Sequence, residues 1–493
     1  MRVRVELVDR VRPTLVPGKH PYMTGPFAPN YEELNASELE VIGEVPERLD
    51  GVYLRNTQNP VHQPRGVYHP FDGDGMLHML SFRRGKVEYR NRFVRTTAFC
   101  QEQAAGRALY AGLIDRPSVA ELPGWGARGG LRDSAATDVI VHAGSALATF
   151  YQCGEPWRID ARTLATKGTS EWGANVLHDG GISAHPKVCP RTGDLLFFNY
   201  SKNAPFMHYG EVDRFDRLVH YVPVPLPGPR LPHDMCFTEN FAILDDFSLH
   251  WDETLLAQGR HKLVYHGDRP SRFAVVPRRH APQTGIRWFE ARPTYVLHWL
   301  NAWEEDSEIV MHGYHQATPM PTGGYDNTGA TLGPERYGPT LYEWRLDLAS
   351  GRTRERHLDD RYLEFGMVNS QFWGKPYRYS YSMLAHPGAF LFDGILRYDH
   401  VTGESQQFMF GEGRFGSESP VAPCHDSKSE DDGYVVSFVT DMKADRSECV
   451  VLDARDIARG PVARIILPHR ISSGTHSCWA DASEIHPDPA GTR

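Results

Sequence analysis

Short strand-like runs that end in tight turns are the feature that most constrains how this chain can fold. Apolar or alternating stretches occur as DLLFFNY (194–200), FAILDDF (241–247), YVLHWL (295–300) and GYVVSFV (433–439). Their lengths and residue types are those of β-strands bounded by turn signals, whereas patterns typical of amphipathic helices are scarce. The sequence therefore predicts an all-β fold.

A turn of one recurring type follows several strand-like stretches of the chain. An apolar residue precedes an aspartate, whose side chain can accept hydrogen bonds from nearby backbone amides as the chain reverses. The repeat occurs as RIDARTL (158–164), EVDRFDR (211–217), RLDLASG (345–351), RYDHVTG (397–403) and VLDARDI (451–457). Repeated hairpins of this kind indicate the blades of a β-propeller, although a β-sandwich could use the same hairpins. Seven blades would leave about 70 residues for each, more than a minimal blade needs, so we expect long loops over one face.

Charge and cysteine usage exclude several classes of protein. The net charge is −9, and no basic cluster suggests a nucleic-acid partner. The seven cysteines include no CxxC pair, which argues against a disulfide framework or a zinc–thiolate site and favours the cytoplasm. We find neither a signal peptide nor an apolar run of membrane-spanning length, but peripheral membrane contact stays open. Because no linker-like segment divides the chain, we expect residues 1–493 to form one domain.

Four of the 24 histidines lie in settings that suggest a shared site. His185 precedes a hairpin strand, and His233 lies in RLPHDMCF. His298 falls inside an apolar strand, where alternation of side chains predicts that it shares one face with Val296 and Leu300. His476 lies in SSGTHSCW. The innermost strands of a propeller converge on its axis, so one histidine from each of four blades could meet there. Four neutral imidazoles suit iron, copper, zinc or nickel, and their spacing alone does not choose between these metals.

The segment YLRNTQNPVHQPRGVYHPFDGDGMLHML (53–80) resembles the carotenoid cleavage oxygenase family, most specifically in FDGDGM (71–76). Further family motifs follow in order along nearly the whole chain, among them AHPK (184–187), NAWEED (301–306) and EDDGYVVSF (430–438). The resemblance implies a seven-bladed β-propeller with a loop-and-helix dome over an axial Fe(II). It also implies cleavage of a carbon–carbon double bond by O2 into two carbonyl products. The four histidines singled out above match the iron ligands of the family.

The resemblance further implies that glutamates support three of the ligand histidines through their outer ring nitrogens. Two of these glutamates match Glu364, which by position would support His298, and Glu418, which would support His476. Such partners fix the orientation of the ring and make the ligand more basic.

The chain departs from the family at the third supporting position. Gln152 stands there, and Glu155 lies three residues too late. A glutamine can accept a hydrogen bond from the His233 N–H but brings no charge. With two glutamates the surroundings of Fe(II) would be formally neutral, instead of carrying one net negative charge. We therefore expect a higher Fe(III)/Fe(II) potential and weaker metal retention than in relatives with three glutamates.

Residues expected near the substrate follow from the same resemblance. Thr137 matches a family threonine whose methyl group crowds one iron position, a candidate for gating the oxygen site. Members that cleave phenolic alkenes grip the 4-hydroxyl with a tyrosine and a lysine. Here these positions resemble Leu113 and Tyr151, which supply no cation, although Tyr110 and Tyr151 could still bond a phenol. We expect O2 and an apolar carotenoid or apocarotenoid as substrates, with a phenolic stilbene or phenylpropene as the alternative and isomerisation as a third.

Two other classes of function remain for comparison. A non-catalytic propeller that binds a carotenoid or a partner protein would not need the four histidines, yet all four are present. A zinc hydrolase would need a general base near the metal, whereas the three supporting positions are better explained as partners of histidine. For an apolar polyene, a tunnel mouth at a membrane surface predicts a hydrophobic patch near the entrance of the cavity.

Overall fold

The protein is described by a computed structural model that covers residues 3–16, 20–126, 130–176, 179–258, 262–317, 319 and 337–485. The first half of its strands are β1 (Arg4–Arg10), β2 (Glu32–Ser37), β3 (Val41–Gly43), β4 (Asp50–Asn59), β5 (Asp74–Arg83), β6 (Lys86–Phe93), β7 (Asp138–His142), β8 (Ser145–Thr149), β9 (Trp157–Asp160), β10 (Thr166–Thr169), β11 (Lys187–Val188), β12 (Leu195–Tyr200), β13 (Met207–Val212), β14 (Leu218–Pro223), β15 (Cys236–Phe237), β16 (Phe241–Asp246) and β17 (Leu249–Trp251).

The second half of the strands are β18 (Leu263–Tyr265), β19 (Ser271–Pro277), β20 (Arg287–Ala291), β21 (Tyr295–Glu305), β22 (Glu308–Gln316), β23 (Thr340–Asp347), β24 (Thr353–Asp359), β25 (Leu363–Met367), β26 (Tyr379–Ala385), β27 (Phe392–Asp399), β28 (Ser405–Met409), β29 (Arg414–Phe415), β30 (Val421–Pro423), β31 (Gly433–Asp441), β32 (Arg446–Asp453), β33 (Pro461–Ile466) and β34 (Gly474–Asp481). Three short helices accompany them: α1 (Thr97–Ala105), α2 (Glu253–Ala257) and α3 (Ala482–Ile485). Among the described helices, none has the length and apolar character needed to cross a membrane.

Seven antiparallel sheets form the blades of a β-propeller, which confirms the predicted fold. From the axis outward they run β34–β4–β5–β6–β2–β1, β7–β8–β9–β10, β11–β12–β13–β14, β15–β16–β19–β20, β21–β22–β23–β24, β25–β26–β27–β28 and β29–β31–β32–β33–β3, with β30 also paired to β31. The hairpin β17–β18 lies outside these sheets. The innermost strands contact one another from blade to blade, for example β34 with β7 and β21 with β25.

The ring closes through both ends of the described chain. The C-terminal strand β34 pairs antiparallel with β4 in the first blade, and the N-terminal strand β3 pairs with β33 in the last blade. Each of these two blades is therefore built from segments that lie far apart in sequence. The innermost position of the first blade depends on this closure, because β34 occupies it.

The predicted aspartate turns join the third and fourth strands of five blades. In each turn the carboxylate accepts hydrogen bonds from backbone amides two to four residues later. The five residues are Asp160, Asp213, Asp347, Asp399 and Asp453. The repeat in the sequence thus marks the outer edge of each of these blades, as a hairpin signal should.

Blades pack against each other through buried aromatic side chains. Between the fourth and fifth blades, the Trp299 ring stands 5.8 Å from Phe273 and 5.1 Å from Trp344, both in edge-to-face arrangements. Such pairs contribute about 0.5–1.5 kcal/mol each beyond the area that they bury. This packing holds the innermost strands of neighbouring blades at constant separation.

The FDGDGM motif fastens the loops above the propeller to the first blade. Asp72 accepts a hydrogen bond from the backbone N–H of Leu113 at 2.8 Å. Asp74, at the start of β5, and Glu102 in α1 both form ion pairs with the Arg132 guanidinium. Asp74 and Glu102 are buried and Arg132 is only slightly exposed, so the cluster is stable only while every charge keeps its partner.

Removing the cation from this cluster should destabilise the protein. We expect Arg132→Met to cost about 3–5 kcal/mol, because Asp74 and Glu102 would stay buried without a counter-charge. The matched control is Arg354→Met, which removes a largely exposed arginine paired with Glu308 and should cost at most about 1 kcal/mol. Urea midpoints of both variants check this; equal shifts would contradict it.

Candidate metal centre

The structure brings the four histidines singled out in the sequence together on the propeller axis. His298 lies on β21 and His476 on β34, while His185 and His233 lie just before β11 and β15. All four are buried, and one ring nitrogen of each lies within 4.8 Å of those of the others. Four blades therefore converge on a site that could hold one metal ion.

Irregular strand pairing orients the side chains of His298 and His476. The pairing of β21 with β22 shifts register on both sides of Trp299, and the pairing of β34 with β4 shifts between Gly474 and Ser477. Such bulges redirect side chains near functional sites. The simple alternation predicted around His298 was therefore wrong: Val296 packs toward the fourth blade and Leu300 toward the sixth.

The inward-facing nitrogens form a donor set that fits a metal. The Nε2 atoms of His185 and His233 lie 3.1 Å apart. His298 Nε2 is buried and, among the described residues, has no hydrogen-bond partner. Two unprotonated imidazole nitrogens at this distance repel each other unless one of them takes up a proton or a cation lies between them. The four rings together thus match the imidazole ligands that iron, copper, zinc and nickel accept.

The outer nitrogens of two rings are bonded to the carboxylates expected from the resemblance. His298 Nδ1 donates to Glu364 at 2.6 Å, and His476 Nδ1 donates to Glu418 at 3.2 Å. Because a carboxylate only accepts hydrogen bonds, it places the proton on Nδ1 and leaves the Nε2 lone pair free for a metal.

The expected hydrogen bond between Gln152 and His233 is absent. Gln152 is buried, and its Oε1 atom has no partner among the described residues. The residue lies in a tight turn closed by the bond from Cys153 N–H to the Phe150 carbonyl. That turn brings the ring of Tyr151, not the Gln152 side chain, against His233, with 5.2 Å between ring centroids.

Sequence reasoning missed a carboxylate that does contact a ligand candidate. Asp138, the first residue of β7, accepts a hydrogen bond from His185 Nδ1 at 3.0 Å. No compact sequence motif links positions 138 and 185. The one hint that Asp138 lies near the centre was its position directly after Thr137.

Burial keeps three of the four imidazoles neutral. Desolvation lowers the pKa of His476 to about 3 and holds the pKa values of His185 and His233 well below their usual range. At His298 burial also acts downward, but the Glu364 carboxylate outweighs it and raises the pKa. Neutral imidazole is the form that binds metals, so His185, His233 and His476 need no deprotonation to bind one, whereas the raised pKa of His298 favours its protonated form.

Two residues at the centre adopt left-handed backbone conformations. His185 has φ 63° and Phe365 has φ 49°, which bulky residues rarely adopt. The Phe365 ring stands 4.7 Å from the rings of both His298 and His476. Local strain of this kind persists where the surroundings hold a functional geometry in place.

Thr137 is held close to the centre. Its Oγ1 accepts from the Tyr151 N–H at 3.2 Å, and its carbonyl accepts from Thr475 Oγ1 at 3.0 Å. These bonds fix the side chain beside the strand that carries His476. A role of its methyl group in gating oxygen stays a prediction.

Two cavities are lined by the four histidines, the first by His185, His298 and His476 and the second by His233. The first, about 680 Å³, lies among the innermost strands and is lined by polar side chains such as Asp138, Lys187 and Asp234. The second, about 820 Å³, reaches His233 and Glu364. Its wall is mainly aromatic and aliphatic, with Phe71, Tyr151, Leu231, Tyr295, Leu297 and Phe390 among the lining residues. Among the described residues, no lysine or arginine lines it.

The structure does not bring Tyr110 to this second cavity. Its ring packs against Trp125 at 5.3 Å, and its hydroxyl donates to Gln101 of α1. The loop after α1 turns the side chain toward the helix and away from the histidines. Of the two tyrosines predicted to contact substrate, only Tyr151 lines the cavity.

Loss of one inward-facing imidazole should weaken metal binding at this site, with Fe(II) as the probe. We expect His298→Ala to weaken binding by more than the roughly 10–100-fold that loss of a supporting residue costs. The control is His280→Ala, which changes an exposed histidine in a loop and should bind Fe(II) like the wild type. Iron content after anaerobic loading and desalting measures both; equal iron in the two variants would refute the site.

Comparisons with known proteins agree with this geometry. The family profile described as retinal pigment epithelial membrane protein matches residues 27–481. The carotenoid 9,10(9′,10′)-cleavage dioxygenase 1 of Phaseolus vulgaris is 31% identical over 94% of this chain and 90% of its own length. The isoeugenol monooxygenase of Pseudomonas nitroreducens is 30% identical over 93% of this chain and 98% of its own.

The fold has matching solved structures. The lignostilbene dioxygenase of Pseudomonas brassicacearum superimposes with a TM-score of 0.83 at 28% identity, covering 96% of this chain and 99% of its own. The cobalt-substituted apocarotenoid oxygenase of Synechocystis superimposes with a TM-score of 0.81 at 27% identity, covering 92% of this chain and 97% of its own. The profile match, the relatives and the four converging histidines together show that this chain belongs to the carotenoid oxygenase family.

Proposed function

We propose that this protein is a non-haem Fe(II) dioxygenase that cleaves a carbon–carbon double bond of a carotenoid or apocarotenoid with O2, giving two carbonyl products. The observation that carries the proposal is the second cavity, whose apolar wall ends at His233. Most of its lining residues are aromatic or aliphatic, as in sites that bind apolar ligands.

The proposed ligands are His185, His233, His298 and His476. Fe(II) held by them would supply the electron that allows O2 to react with a closed-shell alkene. The protein contributes a rigid set of neutral imidazoles, which leaves the metal charge uncompensated by its direct ligands.

The cavity wall orients the alkene and keeps water away. The Phe71 ring stands edge-on to Tyr151 at 6.0 Å and to Phe390 at 5.8 Å. Flat aromatic faces of this kind bind a conjugated chain by dispersion contacts over its length. Excluding water protects the reacting carbons from side reactions. The proposed reaction requires no side-chain acid or base at the alkene.

Cleavage of a phenolic stilbene or phenylpropene is the second candidate. Tyr151, Tyr295 and Tyr337 line the cavity and could bond a phenol, and the relatives named for isoeugenol and lignostilbene support this reading. However, the Tyr295 hydroxyl already donates to the Leu231 carbonyl at 3.2 Å. The absence of a cation from the described lining favours the polyene, because a phenolate would need one.

We also propose peripheral contact with a membrane through an apolar patch beside the cavity. Val67, Ile114 and Val119 are 40%, 45% and 37% exposed. They are neighbours, since the Val67 N–H donates to Asp115 and the Arg65 guanidinium donates to the Val119 carbonyl. The same loop packs against Phe71 of the cavity wall through Leu113. An apolar substrate could pass from lipid to the cavity along this loop.

The choice of substrate can be tested directly. Fe(II)-loaded protein in air should cleave an apocarotenal into two carbonyl fragments whose masses identify the bond, and should leave resveratrol and isoeugenol unchanged. Tyr151→Phe should retain polyene cleavage within about threefold, because the ring still packs and only a hydroxyl is lost. Cleavage of the phenolic alkenes alone, with a loss in Tyr151→Phe, would establish the second candidate instead.

Membrane contact can be tested with vesicles. Ile114→Glu should lower the fraction of protein that co-sediments with phosphatidylcholine vesicles, because burying a carboxylate in the interface is costly. Val401→Glu is the control, since Val401 is 73% exposed in an aspartate turn at a blade edge. The same loss in both variants, or in neither, would argue against the patch.

A further inference from the structure

Each of the seven blades contributes one residue to the centre, on its innermost strand or beside it. Four blades present a histidine and three present a carboxylate at the corresponding place. In order around the axis, starting from the first blade, these residues are His476, Asp138, His185, His233, His298, Glu364 and Glu418.

Each carboxylate in this ring is bonded to a histidine on a neighbouring blade. Glu364 on β25 accepts from His298 on β21, and Glu418, just before β30, accepts from His476 on β34. Asp138 on β7 accepts from His185 beside β11 in the same manner. At three places around the axis, a carboxylate on one blade thus accepts a hydrogen bond from a histidine on an adjacent blade.

His233 is the one ligand candidate that this arrangement leaves out. Its neighbours on either side are the blades of His185 and His298, which themselves present imidazoles. Among the described residues, no carboxylate lies within ion-pair distance of its ring. The one position at which the resemblance predicts a carboxylate for His233 is Gln152, whose side chain does not reach it.

We propose that Asp138 is a positioning residue for the metal centre: it orients the His185 ring, holds the proton on His185 Nδ1, and supplies the third carboxylate that Gln152 does not. This inference rests on the proposed metal site. It overturns the expectation of a formally neutral centre, because three carboxylates around a dication leave one net negative charge. The centre thus has three supporting carboxylates, with the third bonded to His185 rather than to His233.

The local structure suits this role. Asp138 Oδ1 accepts from the Val139 N–H at 2.7 Å, so the carboxylate is anchored and only Oδ2 turns to the histidine. The Asp138 carbonyl accepts from Asn56 of β4 at 3.2 Å, which ties it to the first blade. His185 has φ 63°, a strained backbone conformation that surrounding contacts hold in place, the bond to Asp138 among them.

Three variants test the assignment. Asp138→Asn keeps a hydrogen-bond acceptor but removes the charge, and Asp138→Ala removes both. The control is Asp245→Asn, which changes a fully buried carboxylate that accepts from Trp299 Nε1 and touches no histidine of the centre. For each full-length protein we would measure the Fe(II) dissociation constant by chelator competition and the Fe(III)/Fe(II) midpoint potential. With Co(II) in place of iron, proton NMR would follow solvent exchange of the hyperfine-shifted imidazole N–H signals.

We expect both Asp138 variants to bind Fe(II) about 10–100-fold more weakly and to have a more positive potential than the wild type. One imidazole N–H should exchange faster, and more so in Asp138→Ala than in Asp138→Asn. Asp245→Asn should change none of the three quantities. An affinity within twofold of the wild type and unchanged N–H exchange in Asp138→Ala would overturn the inference. Failure of the wild type to bind Fe(II) or Co(II) would instead remove the proposed metal site, and this inference with it.

Discussion

The convergence of seven short strands on one axis is the constraint on which the rest of the structure depends. Each inner strand can place one side chain at the centre, so a site of seven residues is assembled from positions spread between 138 and 476. The ring has to close for this to work, and β34 supplies both the last pairing with β4 and the ligand candidate His476. The strand that closes the propeller therefore also completes the site.

Charge balance explains why the centre is built from imidazoles and carboxylates in nearly equal number. Neutral histidines pack at the axis at moderate cost, because burial lowers their pKa values and keeps them uncharged. Carboxylates on neighbouring blades are expensive to bury alone, but each gains an imidazole N–H donor. A divalent metal between the rings would offset their charge, which links metal retention to the stability of the inner strands.

The loops above the propeller divide polar from apolar surroundings. Lys187 and the buried Asp234 form an ion pair at 2.8 Å in the lining of the first cavity, beside the histidines. Aromatic and aliphatic side chains line the second cavity, which reaches His233. The cluster of Arg132, Asp74 and Glu102 anchors these loops to the first blade. An apolar alkene could thus bind next to a charged metal centre while its own surroundings stay apolar.

The sequence by itself determined the all-β class, the hairpin turns and the four histidines, because short strands, Asx turns and family motifs are local patterns. Its resemblance also predicted the bonds from His298 to Glu364 and from His476 to Glu418. Only the tertiary structure showed that Tyr110 lies away from the cavity, that Gln152 does not reach His233, and that Asp138 bonds His185. These outcomes depend on bulges, turns and the order of the blades around the axis, because these features set the direction of each side chain. None of them produces a local pattern that can be recognised in the sequence.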